Sequence, residues 1–221
     1  MRQIQREQIV KNWESLEAVF RKLNESVLGY VVIRNFEDLP WWWAEGHGDI
    51  DFLCDAPEAF NRLLDTASRN ANAGDLTHRK IIIAGAELPI DVRYVGDEYY
   101  DAKWEAEIIK NRVMHNDALY VPGPEDYYYS LCYHACLQKQ TVSSDYMQKL
   151  NSLREQLGLD PQTDHLQLTY AYMRRMGYRI TIPDSLATYL NIHRVDKGLL
   201  KKDRLKMARR VFYKAYRKIT G

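Results

Sequence analysis

Two aspartates, Asp49 and Asp51, stand two positions apart in an apolar segment that follows a glycine-flanked loop. On a β-strand, residues i and i+2 point to the same face, so these two carboxylates would project side by side. Ile50 and Phe52 would then point into the protein. Packing gives no reason for two adjacent negative charges here. A divalent cation does, and so does a phosphate bridged through that cation.

A third aspartate, Asp91, lies between apolar neighbours in a later segment. If its strand pairs beside the strand of Asp49 and Asp51, three carboxylates converge at one edge of a small sheet. Clustered negative charges repel one another, and their pKa values rise unless a cation neutralises them. Mg²⁺, or Mn²⁺ in its place, suits such a site because it takes hard oxygen ligands. The pattern predicts all three aspartates as metal ligands and catalytic residues, with Asp91 holding a second metal or deprotonating an acceptor hydroxyl.

Periodicity and turn signals predict the surrounding helices and strands. Apolar residues from Ile9 to Leu23 step by three and four, which predicts an amphipathic helix that includes Trp13. A second helix is predicted from Asp55, as its N-cap, to about Asn70. Strands are predicted at 30–33, 49–54, 80–84 and 88–95, the last two as an antiparallel hairpin. Further helices are predicted at 127–140, 145–157, 165–176 and 184–190.

We therefore predict an α+β fold. A small mixed β-sheet flanked by helices would occupy residues 1–120, and a helical domain ending in a basic amphipathic helix would occupy residues 121–221. No apolar run approaches the roughly 20 residues that a membrane span needs. The N-terminus lacks the apolar core of a signal peptide. Because three cysteines also argue against a disulfide framework, we expect a cytoplasmic location.

Cys132, His134 and Cys136 lie close together in a segment with a helical pattern. Residues two apart do not share a helix face, so this spacing favours buried free thiols over a zinc site. His134 is predicted to satisfy a local hydrogen bond within a helical core.

The net charge of +1 conceals an asymmetry. Ten of the 31 Lys and Arg residues lie from Lys197 onward, against a single acid, Asp203, so an acidic body carries a basic C-terminal tail. Apolar residues in this tail recur at helical spacing. Three interpretations remain open: the tail docks on its own protein, lies on an anionic membrane surface, or binds RNA or DNA.

The order of these elements resembles the nucleotidyltransferase superfamily, which has the DNA polymerase β-like fold. More narrowly, the chain is similar to bacterial and viral nucleotidyltransferase-like proteins associated with surface-glycan genes. The resemblance rests on residues 30–35, 48–53, 90–93 and 122–135. It implies a sheet of nucleotidyltransferase type, with Asp49 and Asp51 as the paired metal ligands and Asp91 as the third carboxylate.

One departure from the superfamily concerns the phosphate-binding residues. The superfamily usually has a Gly-Ser pair after its first strand, where this chain has Arg34 and Asn35. These two residues are predicted as phosphate contacts instead, because the guanidinium of Arg34 can clamp a phosphate with two N–H groups. His47, in the loop beside the aspartates, would position substrate. Arg93, on the same strand face as Asp91, would contact phosphate or pair with that aspartate.

The leading hypothesis is a Mg²⁺-dependent transferase that moves a nucleotidyl or phosphosugar group. Its donor would be a nucleotide, nucleotide sugar or phosphosugar, and its acceptor a glycan or another small molecule. The resemblance places it in polysaccharide biosynthesis, with the basic tail as a peripheral membrane contact. The alternatives are a non-catalytic binding or scaffold module that retains the fold, and an RNA-directed nucleotidyltransferase of the tRNA or toxin type.

Overall fold

The computed structural model describes residues 11–37, 39, 48–70, 74–183, 188–203, 205, 206, 208 and 209. The chain forms two compact units. The first takes the described residues up to Tyr94 together with Ile109–Val121, and the second takes Val95–Ile108 together with those from Pro122 onward. The segment Val95–Ile108, which the sequence analysis placed in the first domain, therefore groups with the second unit.

The first unit contains a mixed β-sheet, so the fold is α+β as predicted. Its strands are β1 (Asn12–Trp13), β2 (Tyr30–Arg34), β3 (Ile50–Cys54), β4 (Ala67–Ser68), β5 (His78–Ile83) and β6 (Ala86–Tyr94). They follow the order β1-β5-β6-β3-β2, and β4 pairs with β5 outside this path. A two-stranded sheet pairs β7 (Val113–His115) with β8 (Leu119–Val121). The helices of this unit are α1 (Leu16–Asn24) and α2 (Pro57–Leu64).

The strands that carry Asp51 and Asp91 are neighbours in the sheet. Strand β3 runs antiparallel to β2 and parallel to β6. Strands β5 and β6 form the predicted antiparallel hairpin, with Ala84 (φ 49°) and Gly85 (φ 84°) in its tight turn. The prediction that the Asp91 strand lies beside the Asp49 and Asp51 strand is therefore confirmed.

One face of the sheet packs against the two helices. The Phe52 ring on β3 lies 6.2 Å from the ring of Phe20 on α1 and 5.1 Å from that of Phe60 on α2, centroid to centroid. Ile50 and Phe52 are buried, as predicted, and burial of such side chains contributes about 1.5–3 kcal/mol each. Because side chains alternate along a strand, Asp51 points to the opposite face.

The first predicted helix begins later than its periodicity indicated. Helix α1 begins at Leu16, after Ser15, whose hydroxyl accepts a hydrogen bond from the Ala18 N–H. Trp13 lies in β1 instead of a helix, and its indole N–H donates to the Leu64 carbonyl. Tertiary contacts have thus overridden a helical pattern. Ile9 lies outside the described residues.

The second predicted helix is wrong at both ends. Asp55 is not the N-cap, a position taken by Ala56; its carboxylate accepts the Gly29 N–H at 3.0 Å instead. A Cβ on Gly29 would lie 2.7 Å from Asp55 Oδ2, which explains the glycine. The helix ends at Leu64, and Asp65 follows in the left-handed conformation (φ 51°). The chain then forms β4 where further helix was predicted.

The helices of the second unit are α3 (Ala102–Lys110), which runs on into the first unit, α4 (Pro124–Leu137), α5 (Ser144–Gln156) and α6 (His165–Met176). The last three lie where they were predicted. Residues 188–190 of the fourth predicted helix are not helical, and residues 184–187 lie outside the described chain. Strands β7 and β8 were not predicted.

The core of the second unit is aromatic. The buried Asp126 carboxylate accepts hydrogen bonds from the Trp104 indole at 3.0 Å and the Tyr172 hydroxyl at 2.9 Å. Cys132 and Cys136 are buried free thiols with their sulfurs 3.9 Å apart, as predicted. His134 also behaves as predicted, since its Nδ1 lies 2.8 Å from the Tyr99 hydroxyl within the helical core.

The basic tail begins attached to its own unit. Leu199 is buried, Lys201 forms a 2.9 Å ion pair with Glu98, and Lys206 contacts the same carboxylate. Leu205, the first of the tail's apolar residues that recur at helical spacing, is 85% exposed. The start of the tail is therefore tied to the second unit by Leu199 and by lysine ion pairs, and all three interpretations of its apolar residues stay predictions. Within the described part of the chain, no helix has the length and apolar character of a membrane span.

A buried glutamate in α3 makes the stability of the fold depend on pH. Glu105 accepts the backbone N–H groups of Gly96 at 2.7 Å and Tyr100 at 2.9 Å, and its side chain is fully buried. Burial, with the nearby Asp97 carboxylate, raises the pKa of Glu105 from 4.5 to about 8. Between these values the folded state holds a proton that the unfolded chain releases. The glutamate's stabilising contribution is therefore complete below pH 4.5 and is lost as pH rises toward about 8.

We expect the free energy of unfolding to fall by about 1.4 kcal/mol per pH unit more steeply in the parent than in Glu105→Gln over this interval. Urea unfolding of both proteins at several pH values measures the difference. Parallel pH profiles would contradict the assignment of the proton to Glu105. The glutamine variant also loses one acceptor for a backbone N–H, so its absolute stability is not the readout.

Candidate carboxylate and arginine site

Four ionisable side chains lie in register across four neighbouring strands. Arg34 on β2 pairs with Asp51 on β3, Asp51 lies beside Asp91 on β6, and Asp91 pairs with His78 on β5. Directly paired residues point to the same face of a sheet. This face is opposite to the one that packs against α1 and α2. We call these four residues, with the Asp49 that precedes β3, the polar row.

A β-bulge brings Arg34 into the polar row. Val32 pairs with Phe52, but the register then shifts so that Arg34, not Ile33, pairs with Asp51. Regular pairing would have placed an isoleucine beside a buried carboxylate. The extra residue of the bulge re-aims the following side chain. This irregularity therefore supplies Asp51 with its counter-ion.

Arg34 and Asp51 form a buried ion pair. Arg34 Nη2 lies 2.5 Å from Asp51 Oδ1, and the two side chains are 8% and 6% exposed. Burial raises the pKa of Asp51, Arg34 counteracts this, and the carboxylates of Asp49 and Asp91 add to the rise. Arg34 was predicted as a phosphate contact, and the structure places it against the metal-ligand candidate.

Asp49 lies just before β3, not within it as predicted. Its side chain is 38% exposed, in contrast to Asp51. The preceding Gly48 has φ +70°, a conformation that side chains disfavour, and no atom lies within 4 Å of where its Cβ would be. Glycine is therefore needed there for the backbone turn that presents Asp49 at the end of the strand.

Asp91 is surrounded by charges of both signs. Burial and the Asp49 carboxylate raise its pKa, while Arg69, Arg93 and His78 lower it. Arg93 is nearly buried and follows Asp91 by two residues, on the same strand face as predicted. The net rise in pKa identifies a carboxylate that is held close to others and out of water.

Arg69 and His78 belong to the site but were missed in the sequence. Arg69 follows β4, and its Nη2 contacts Asp91 Oδ1 and lies 3.8 Å from Asp49 Oδ2. His78 Nδ1 lies 2.9 Å from Asp75 Oδ2, which fixes the ring beside Asp91. His78 was missed because the strand was predicted to begin at residue 80, whereas β5 begins at His78; the residues HRKIII do not alternate in polarity and gave no signal for it. Arg69 was missed because the second helix was predicted to reach about Asn70, so that Arg69 was taken as helical.

The two remaining predicted residues are placed differently. Asn35 follows β2 with an exposed side chain and φ 55°, a left-handed conformation that asparagine tolerates well. The left-handed conformation at the end of β2 explains why an asparagine occupies this position. His47 lies outside the described residues. Its predicted role therefore stays a prediction.

The polar row matches a hard divalent cation in donor chemistry, since three carboxylates lie close together and two of them, Asp51 and Asp91, have raised pKa values. Their present contacts are with arginines. Asp51 Oδ1 is paired with Arg34, and Asp91 Oδ1 with Arg69. Accordingly, no group of three His, Cys, Asp or Glu side chains is arranged as a metal site among the residues described. A cation held by Asp49 and Asp91 would have to displace the Arg69 guanidinium.

The comparisons with known proteins leave the geometry as the only guide to function. No family model, no curated protein and no solved structure matches this chain.

Proposed function

We propose that this protein is a Mg²⁺- or Mn²⁺-dependent transferase that moves a nucleotidyl or phosphosugar group onto a glycan or small-molecule acceptor. The observation that supports the proposal is the closeness of three carboxylates: Asp51 and Asp91 pair directly on the adjacent parallel strands β3 and β6, and Asp49, just before β3, shares the Arg69 contact with Asp91. The raised pKa values of Asp51 and Asp91 mean that a cation gains more there than at an ordinary surface carboxylate. The resemblance to nucleotidyltransferases agrees with this placement.

The residues of the polar row, together with the neighbouring Arg93, take distinct roles in this proposal. Asp49, Asp51 and Asp91 would hold the metal, which when bound polarises a phosphate oxygen and steadies a leaving phosphate. Arg34 is a positioning residue, since its buried ion pair fixes the orientation of Asp51. Arg93 adds positive charge beside Asp91, which favours a phosphate-containing donor over a neutral one.

Metal and donor binding are tested together by thermal unfolding. Mg²⁺ or Mn²⁺ is titrated with and without nucleoside triphosphates, nucleoside diphosphate sugars and sugar phosphates. Ligand at about 100 times its Kd stabilises a folded protein by about 2.7 kcal/mol, which raises the melting temperature of a chain this size by several degrees. We expect a metal-dependent rise that one donor class enlarges. No rise with either metal, alone or with any donor, would refute the proposal.

A second candidate is a non-catalytic binding module. The ion pairs of Arg34 and Arg69 already neutralise Asp51 and Asp91, as a purely structural network would. In such a module, replacing Asp51 changes stability but not the response to metal. The same titrations on Asp51→Asn therefore separate the two candidates.

A further inference from the structure

Arg69 reaches the polar row from the end of β4, which pairs with β5. Its backbone N–H donates to the His78 carbonyl at 2.9 Å, which continues the β4–β5 ladder by one residue. Directly opposed residues share a sheet face, so Arg69 lies on the same face as His78 and Asp91. Its side chain extends from there along the row toward the carboxylates.

The guanidinium of Arg69 bridges two carboxylates. A single nitrogen, Nη2, contacts Asp91 Oδ1, lies 3.8 Å from Asp49 Oδ2 and 3.4 Å from the Ile90 carbonyl oxygen. This position between Asp49 and Asp91 is the one that a cation shared by those carboxylates would take. Arg69 and a divalent cation therefore need the same oxygens and carry the same sign of charge.

The two arginines that form ion pairs with the aspartates, Arg34 and Arg69, differ in their freedom to move. The Arg34 side chain is 8% exposed, whereas the Arg69 side chain is 27% exposed. Arg34 would leave a buried charge behind if it moved, which is costly. Arg69 reaches solvent and can exchange its carboxylates for another anion at small cost.

We propose that Arg69 is the built-in counter-ion of Asp49 and Asp91, which a divalent cation displaces and which then binds the phosphate of the donor. This inference rests on the proposed metal-dependent function. When the metal binds, the Arg69 guanidinium is released from Asp49 and Asp91. An anion that then binds the guanidinium keeps it from competing with the metal for these carboxylates. By linkage, metal and anion then strengthen each other's binding by the same factor.

Calorimetric binding of Mn²⁺ alone tests the competition. The proteins are the parent, Arg69→Gln, Arg69→Lys and, as matched control, Arg62→Gln, which changes an exposed arginine on α2. We expect Arg69→Gln to bind Mn²⁺ about tenfold more tightly than the parent, because a competing charge is removed. Arg69→Lys, which keeps the charge, should stay nearer the parent, and Arg62→Gln should equal it. Equal or weaker binding by Arg69→Gln, with its fold intact by circular dichroism, would overturn the inference.

Sulfate, a phosphate-like anion that binds Mn²⁺ weakly, tests the second part at constant ionic strength. It should strengthen Mn²⁺ binding to the parent and not to Arg69→Gln, and an equal effect on both would count against the inference. Failure of the inference stays distinct from failure of the proposed function. If parent and Arg69→Gln bind Mn²⁺ equally and Asp51→Asn does not, only the inference fails. If none of these proteins binds Mn²⁺, the proposed function fails with it.

Discussion

Asp51→Asn is expected to abolish Mn²⁺ binding and to lower the rate of group transfer by about 10³-fold or more. Loss of a catalytic metal removes several kcal/mol of transition-state stabilisation, and each 1.4 kcal/mol changes the rate tenfold. The variant should lose stability, because Arg34 is left without its buried counter-ion, but the asparagine side-chain oxygen can still accept a hydrogen bond from Arg34, so we expect a folded protein. Calorimetry with Mn²⁺ measures the first effect, and turnover of the donor class that stabilises the parent measures the second.

Asp117→Asn is the matched control for this substitution. Asp117 lies in the β7–β8 turn with φ 53° and an exposed side chain, and asparagine tolerates this conformation equally well. It removes the same charge from the same unit without touching the polar row. A loss of metal binding in both variants would indicate a general charge effect. Unchanged metal binding in Asp51→Asn would remove the basis for a metal-dependent enzyme.

Arg34→Leu is expected to lower the free energy of unfolding by about 3–5 kcal/mol at neutral pH, since it leaves the Asp51 carboxylate buried without its counter-ion. Arg34 lowers the pKa of Asp51, so its removal lets that pKa rise further. A raised pKa in the folded state means that stability is recovered as pH falls and is lost as pH rises. The defect should therefore shrink on acidification, and urea unfolding at neutral and mildly acidic pH measures it.

Two comparisons establish that the loss comes from a buried charge. The double variant Arg34→Leu/Asp51→Leu should recover most of the stability, because replacing both partners of a buried pair is often neutral. Arg21→Leu removes a surface pair with Glu14, whose side chains are 65% and 74% exposed, and should cost less than about 1 kcal/mol. If Arg34→Leu behaved like Arg21→Leu, the Asp51 carboxylate would not depend on Arg34 as its counter-ion.

The aspartates could be identified in the sequence because local patterns suffice for them. The apolar residues around Asp51 and Asp91 indicated two strands. The turn at Gly85 indicated that the Asp91 strand forms a hairpin with the strand before it. That β6 lies beside β3 was a hypothesis that the register confirmed, and the parallel direction of this pairing was not predicted. The metal role of these residues stays a prediction.

The rest of the site depends on features that no local pattern shows. The bulge at Ile33 changes which side chain faces Asp51, and a bulge has no periodicity of its own. Arg69 reaches the site because the chain turns at Asp65, an ending decided by tertiary pairing of β4 with β5. Trp13 likewise joined a strand because a neighbouring strand was available, against its helical spacing.

The division of the chain into interleaved units has a consequence for its synthesis. Val95–Ile108 leaves the ribosome between two parts of the first unit, yet its packing partners belong to the second. The Trp104 ring stacks on Tyr178, with centroids 5.4 Å apart, and must wait for some seventy residues to be made before that contact forms. During this interval the Trp104 ring lacks its stacking partner, although Tyr100 beside it in the chain is already made, so part of its apolar surface stays unpacked and exposed to aggregation.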